Sequence, residues 1–225
     1  MKKAIDFLTR LRENNNKVWF DEHKDEYKEA IGEFNAFAEE LISEISRFDP
    51  TIGGLTLKDC TYRIYRDLRF SPNKDPYKTH FGAYIVRGGK KSGYAGYYFH
   101  IEPQGGNMTD GHFLVSGLHM PEAEYLRSVR EDIVDHTDVL LAAIKKAKGF
   151  EIDRSASLKR LPLGYTPDEK YDDLLKLKDI CLCKYVDDKF LLQKDLAKAV
   201  ADEFRMTKDF LDFLNRAIDY VKEEI

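Results

Sequence analysis

Through the first third of the chain, apolar residues return at steps of three, four or seven. Phe20, Tyr27, Ile31, Phe34, Ala38, Leu41, Ile42 and Ile45 form one stripe, the signature of an amphipathic helix. Asn14-Asn15-Asn16 separates this helix from a shorter one near residues 5–11, because an asparagine side chain accepts hydrogen bonds from amides that a helix N-terminus leaves orphaned. Pro50 and Gly53-Gly54 close the helical region.

From Thr61 the period falls to two. Aromatic and β-branched residues alternate in residues 62–66, 81–86, 94–101 and 112–118, which predicts strands. The connections Gly88-Gly89-Lys90-Lys91-Ser92-Gly93 and Pro103-Gln104-Gly105-Gly106-Asn107 are short and rich in turn formers, so an antiparallel meander with helices over one face is the economical topology. Helical spacing returns after Pro121, with Tyr125, Leu126, Val129, Ile133, Leu140 and Ile144 predicting a helix over 122–148. Beyond the loop 161–167 come a short helix near 172–177, a strand over 180–186, and helices over 191–204 and, capped by Thr207, 210–221. The fold class is therefore α+β: an antiparallel meander of about four to five strands packed against several long helices. The 225 residues read as a single domain, 1–225, with no internal repeat or low-complexity linker.

Composition narrows the class. A hydrophobic share of 43% beside a charged share of 34% is that of a globular chain, and no apolar run approaches the roughly 20 residues that span a bilayer. Charges at Lys2, Lys3 and Asp6 leave no signal-peptide apolar region, so a cytoplasmic location is expected. Cys60, Cys181 and Cys183 are odd in number and lack metal or thioredoxin spacing, which reads as three reduced, packed thiols. A net charge of −4 argues against whole-surface attraction to nucleic acid or acidic lipid, so any anion site is local.

The densest chemistry lies between Tyr62 and His80, where Arg63, Arg66, Arg69, Lys74 and Lys78 face only Asp67 and Asp75. On a strand, alternation would put an arginine on each face, and a partly buried guanidinium needs a carboxylate, phosphate or carbonyl for its donors. Two readings stand side by side. These cations read either as a network paired with Asp67, Asp75, Glu102 or helix carboxylates, or as converging with Tyr77 on a small anionic ligand.

Phe7-Leu8 with Asn14-Asn15-Asn16-Lys17-Val18-Trp19-Phe20, then Arg63-Ile64-Tyr65-Arg66-Asp67-Leu68-Arg69-Phe70-Ser71 and Lys74-Asp75-Pro76-Tyr77-Lys78, resemble the family catalogued as domain of unknown function 2461. The likeness runs nearly end to end, through Gly96-Tyr97-Tyr98-Phe99-His100-Ile101-Glu102-Pro103, Gly117-Leu118-His119-Met120-Pro121 and Leu161-Pro162-Leu163-Gly164-Tyr165. It implies one compact α+β unit of a kind widespread in bacteria and cytosolic. It implies no reaction.

Other constellations have simpler readings. His100, Glu102 and His112 can be drawn as a two-histidine, one-carboxylate metal site, but no ligand spacing supports it, and neither metal nor cofactor is expected. The glycine-rich 88–93 turn lacks the spacing of a phosphate-cradling loop and reads as a hairpin. Tyr94, Tyr97, Tyr98 and Phe99 read as core rather than as a stacking platform, Cys181 and Cys183 offer no nucleophile, and Trp19-Phe20 is a packing anchor.

The function expected is binding of a phosphate- or carboxylate-bearing metabolite in a basic pocket on the sheet by Arg63, Arg66, Arg69, Lys74, Tyr77 and Lys78. The alternative is a non-catalytic interaction protein whose basic segment docks an acidic protein or single-stranded nucleic acid, nucleic acid being disfavoured by the net charge. His100 is the candidate general acid or base, by its intrinsic pKa. Whether the chain is an enzyme is left open.

Overall fold

The computed structural model describes residues 1–106 and 111–223. Asn107, which the sequence assigns to the 103–107 turn, lies outside them.

Three helices open the chain: α1 (Lys2–Glu13), α2 (Lys17–Glu22) and α3 (Lys24–Ser46). The asparagine cap forms as expected, with Asn16 accepting a hydrogen bond from the Trp19 amide at 3.0 Å. The predicted long helix is broken once, at His23, whose Nδ1 sits 2.7 Å from the Trp19 carbonyl. Short α4 (Leu57–Cys60) leads toward the strands β1 (Phe81–Ile85), β2 (Gly96–Ile101) and β3 (His112–Leu118). Then follow α5 (Ala123–Lys146), β4 (Glu151–Ile152), α6 (Asp172–Leu175), β5 (Ile180–Val186), α7 (Asp188–Leu191), α8 (Leu196–Arg205) and α9 (Lys208–Glu223). Among the described residues no helix is long and apolar enough to cross a membrane.

The strands make one antiparallel sheet in the order β1-β2-β3-β5-β4. Residues directly opposite in such a ladder point to the same side, so the register sorts the sheet into two chemically distinct faces. On one face run Ala83, Phe99 and Leu114, flanked by Phe81 with Ile101 and by Ile85 with Tyr97. This face is sealed by helices: Phe37 of α3 meets Phe99 at 4.6 Å between centroids, Phe34 meets Phe81 at 5.3 Å, and Phe204 of α8 meets Tyr97 at 5.2 Å. α5 packs in turn on α9. Thr207, expected as a helix cap, has its hydroxyl between Ser116 Oγ at 2.6 Å and the Phe204 carbonyl at 2.8 Å, joining the α8–α9 corner to β3.

The other face carries Gly82, His100, Phe113 and Tyr185 in one row and Tyr84, Tyr98, Val115 and Cys183 in the next. Among the described residues no long helix covers it. Tyr84, Tyr98, Val115 and Cys183 are part-exposed, and Tyr185 is 68% exposed.

Candidate functional site on the open face of the sheet

Residues 62–66, predicted as a strand, do not form one. The 61–80 segment is a folded-back loop tied by two isolated bridges, Thr61 to Ala83 and Tyr65 to Tyr77, and by the backbone bonds Arg66 N to Pro76 O (3.0 Å) and Lys78 N to Ile64 O (2.8 Å). Pro72 and Pro76 have no N–H to give a ladder, and the loop's apolar residues anchor it elsewhere. Ile64 is buried, and Tyr77 is buried with its ring stacked on Phe20 at 4.0 Å. Asn15 clamps both backbone groups of Tyr77, donating to its carbonyl at 2.9 Å and accepting from its amide at 3.1 Å.

This geometry separates the six sequence-predicted ligand residues. Arg66 turns back into its own loop, donating to the Asp75 carbonyl (2.9 Å) and to Ser71 Oγ (3.1 Å). Arg69 is exposed and pairs with Asp67 at 2.7 Å, and Lys74 donates to the Leu68 carbonyl. Tyr77 serves packing. Arg63 and Lys78 remain. Neither forms an ion pair among the described residues, although Asp67 lies within reach of the Arg63 charge; burial first, then the Arg63 charge, holds the Lys78 ammonium below its usual range. Lys78 Nζ sits 5.3 Å from the centroid of the Tyr62 ring and Lys90 Nζ 5.6 Å from it. Two lysines thus flank one tyrosine at the rim of the open face, with the Arg63 charge within reach of Lys78.

Beneath that rim lies a chain of polar groups. The Tyr98 hydroxyl is 2.9 Å from His100 Nδ1, and His100 Nε2 is 3.3 Å from Glu102 Oε2. Thr79 Oγ1 donates to Glu102 Oε1 at 2.6 Å. His80 stacks on His100 at 4.7 Å, and its Nδ1 is 4.0 Å from Glu102 Oε1. Phe113 also stacks on His100, at 4.3 Å. His100, Glu102 and Thr79 are fully buried.

Two glycines make this crowding possible. A Cβ on Gly82 would lie 2.4 Å from the Tyr98 hydroxyl, and one on Gly106 would lie 2.2 Å from the Glu102 carboxyl carbon. Glycine is what lets the phenol lie across β1 and the carboxylate tuck beneath the turn.

Burial sets the protonation states. It pushes the His80 pKa down to about 3, with the neighbouring His100 next, against the opposing pull of Glu102; Lys78 and Arg66 add smaller downward pushes. Burial also lowers His100, partly offset by Glu102. Both imidazoles are neutral at pH 7. Burial raises Tyr98, Tyr84 and Tyr62, so their phenols stay protonated and can donate hydrogen bonds. A carboxylate, an imidazole and a phenol in series can orient and polarise a bound group at the Tyr98 end.

His100 and Glu102 share a face, as the alternation predicts, but the drawn metal set of His100, Glu102 and His112 does not assemble. His112 lies on the helix side, accepting the Glu102 amide at 3.1 Å through Nδ1, with Nε2 2.8 Å from Asp188. The third member of the cluster is His80, which sequence reasoning quoted without giving it a role. Its signal was parity: residues 80, 82 and 84 alternate onto one side of β1, the side that antiparallel pairing gives to 98, 100 and 102.

Apart from Tyr98, the remaining candidates take the readings given above. The 88–93 segment is a hairpin turn with Gly88, Gly89 and Gly93 at positive φ, and Tyr97 and Phe99 are core while Tyr98 is not. All three cysteines are free, and burial pushes Cys60 and Cys183 up to about 11 and Cys181 higher still, so none is a poised nucleophile. Two clefts lie elsewhere, one beside α9 around Arg87 and Asp219, the other between α1 and α7 around Arg12 and Asp188. None of the six predicted ligand residues lines either.

A family model described as "Conserved hypothetical protein (DUF2461)" matches residues 3–213 of the chain. No curated protein and no solved structure matches.

Proposed function

The chain belongs to the DUF2461 family of conserved hypothetical proteins, and on that premise we propose that it binds a small anionic metabolite, phosphate- or carboxylate-bearing, at the rim of the open sheet face. One observation carries the reading: Lys78, part-buried, and Arg63, exposed, lie close enough for each charge to feel the other, with no carboxylate at ion-pair distance among the described residues. Like charges brought together this way cost free energy that an anion between them would return. The phenols of Tyr62, Tyr84 and Tyr98 supply neutral donors beside them. Arg66, Arg69, Lys74 and Tyr77 serve the loop's shape in this reading, and the three free thiols fit the reducing cytoplasm expected for the chain.

A thermal-shift screen tests it, using inorganic phosphate, pyrophosphate and a panel of phosphorylated and carboxylated metabolites. A ligand at a hundred times its Kd stabilises by about 2.7 kcal/mol, or roughly 5–10 °C for a chain of this size. The double variant Arg63→Ala, Lys78→Ala loses that shift. Silence of the whole panel on the wild type, or an undiminished shift in the double variant, overturns the proposal.

Exposed aromatics on the same loop favour a second reading. Tyr65 is 51% and Phe70 92% exposed, with the Arg69 guanidinium 5.8 Å from the Phe70 ring centroid. Such rings can stack on bases beside a cationic strip. Salt-dependent retention on single-stranded nucleic acid, lost in Phe70→Ala, would favour that partner over the metabolite.

A further inference from the structure

We propose that His80, His100 and Glu102 form a binding site for a divalent first-row transition metal ion, zinc or iron in class, at the end of β2. One donor atom from each lies within 4.8 Å of the other two. Donors bound tetrahedrally at about 2.0–2.1 Å from a metal stand roughly 3.3 Å apart. The His100 Nε2 to Glu102 Oε2 separation is already 3.3 Å, and binding requires His80, whose side chain is 15% exposed, to move toward that pair.

The donor chemistry selects this class of ion. Two imidazoles and one carboxylate, the donors that the described residues bring together, suit zinc, iron or cobalt better than calcium or magnesium. The outer contacts are those that aim a ligating histidine. With Nε2 toward the ion, His100 presents Nδ1 to the Tyr98 hydroxyl at 2.9 Å, which fixes tautomer and ring plane, and Thr79 fixes one oxygen of Glu102 at 2.6 Å. Lys78 and Arg66 oppose a cation here, but at His80 their effects are smaller than that of the Glu102 carboxylate.

The site stands on geometry separate from the Arg63–Lys78 rim, so either assignment can fail alone. The experiment is titration of chelator-treated full-length protein with Co²⁺, read by its visible absorption, followed by Zn²⁺ competition and an anaerobic Fe²⁺ arm. About one equivalent per chain is expected, with zinc displacing cobalt. His80→Ala, at a partly exposed position, is expected to weaken affinity on the order of a hundredfold while the melting temperature in chelator stays that of the wild type. A metal-dependent rise in melting temperature appears in the wild type and not in the variant, which separates the site from stray binding at the surface pair His119 and Asp179, 3.0 Å apart. Failure of all three ions to bind stoichiometrically, or equal affinity in His80→Ala, overturns the proposal.

Discussion

The two faces of the sheet are built from the same strands and share almost nothing else. On the helix side Phe99 is fully buried against Phe34 and Phe37, in a layer of Phe81, Ala83, Ile85, Tyr97 and Ile101. One residue along, Tyr98 is part-exposed and His100 is bonded through both ring nitrogens. Stability is concentrated on one side and chemistry on the other, and period-two alternation allows a single strand to carry both. The polar side is not merely solvated: its charges are buried beneath a loop that supplies further polar groups, an arrangement whose cost falls on the sealed side to offset.

The largest expected effect tests that division directly. Phe99→Ala removes a ring from the sealed face and should cost about 3–5 kcal/mol, a fall of roughly 6–20 °C in melting temperature. Tyr98→Phe, its neighbour, deletes one hydroxyl and should cost about 1 kcal/mol. Comparable losses in the two, by calorimetry, would break the comparison. Gly82→Ala should fall between them, at roughly 1–3 kcal/mol, because the new methyl must displace the Tyr98 hydroxyl now 2.4 Å from its position. Restoring stability in the double variant Gly82→Ala, Tyr98→Ala would locate the clash.

The smallest effect is chemical. Cys183 lies on the open face, and burial pushes its thiol up to about 11, with Asp153 adding to the rise. Because the thiolate reacts and the thiol does not, alkylation by iodoacetamide should be slow at pH 7–8 and should keep climbing toward pH 11. A plateau near pH 9, followed by peptide mass mapping, would mean that the face is wetter than its geometry indicates.

Much of this division is legible in the sequence. Alternating aromatics mark β1, β2 and β3, and helical spacing marks α3, α5 and α9, because each pattern reports which residues a regular element buries. The 61–80 loop is not legible in the same way. Tyr62, Ile64 and Tyr65 imitate a strand, but the loop is held by Asn15, which clamps Tyr77, and by Phe20, which meets Tyr65 and Tyr77, partners far earlier in the chain that no local pattern announces. The break at His23 has neither glycine nor proline to signal it, and β4 is too short to have a period. His80 could be placed only once β1 and β2 were paired, which is why the drawn cluster took His112 instead.

Thr61 bridges the middle of β1 at one margin of the sheet, and β4, at the other, is only two residues long. Unpaired N–H and C=O groups along a long, flat margin invite a foreign strand to add itself. Here that template is interrupted at both ends, so neither margin offers a foreign strand a long, flat edge beside the half-open polar face.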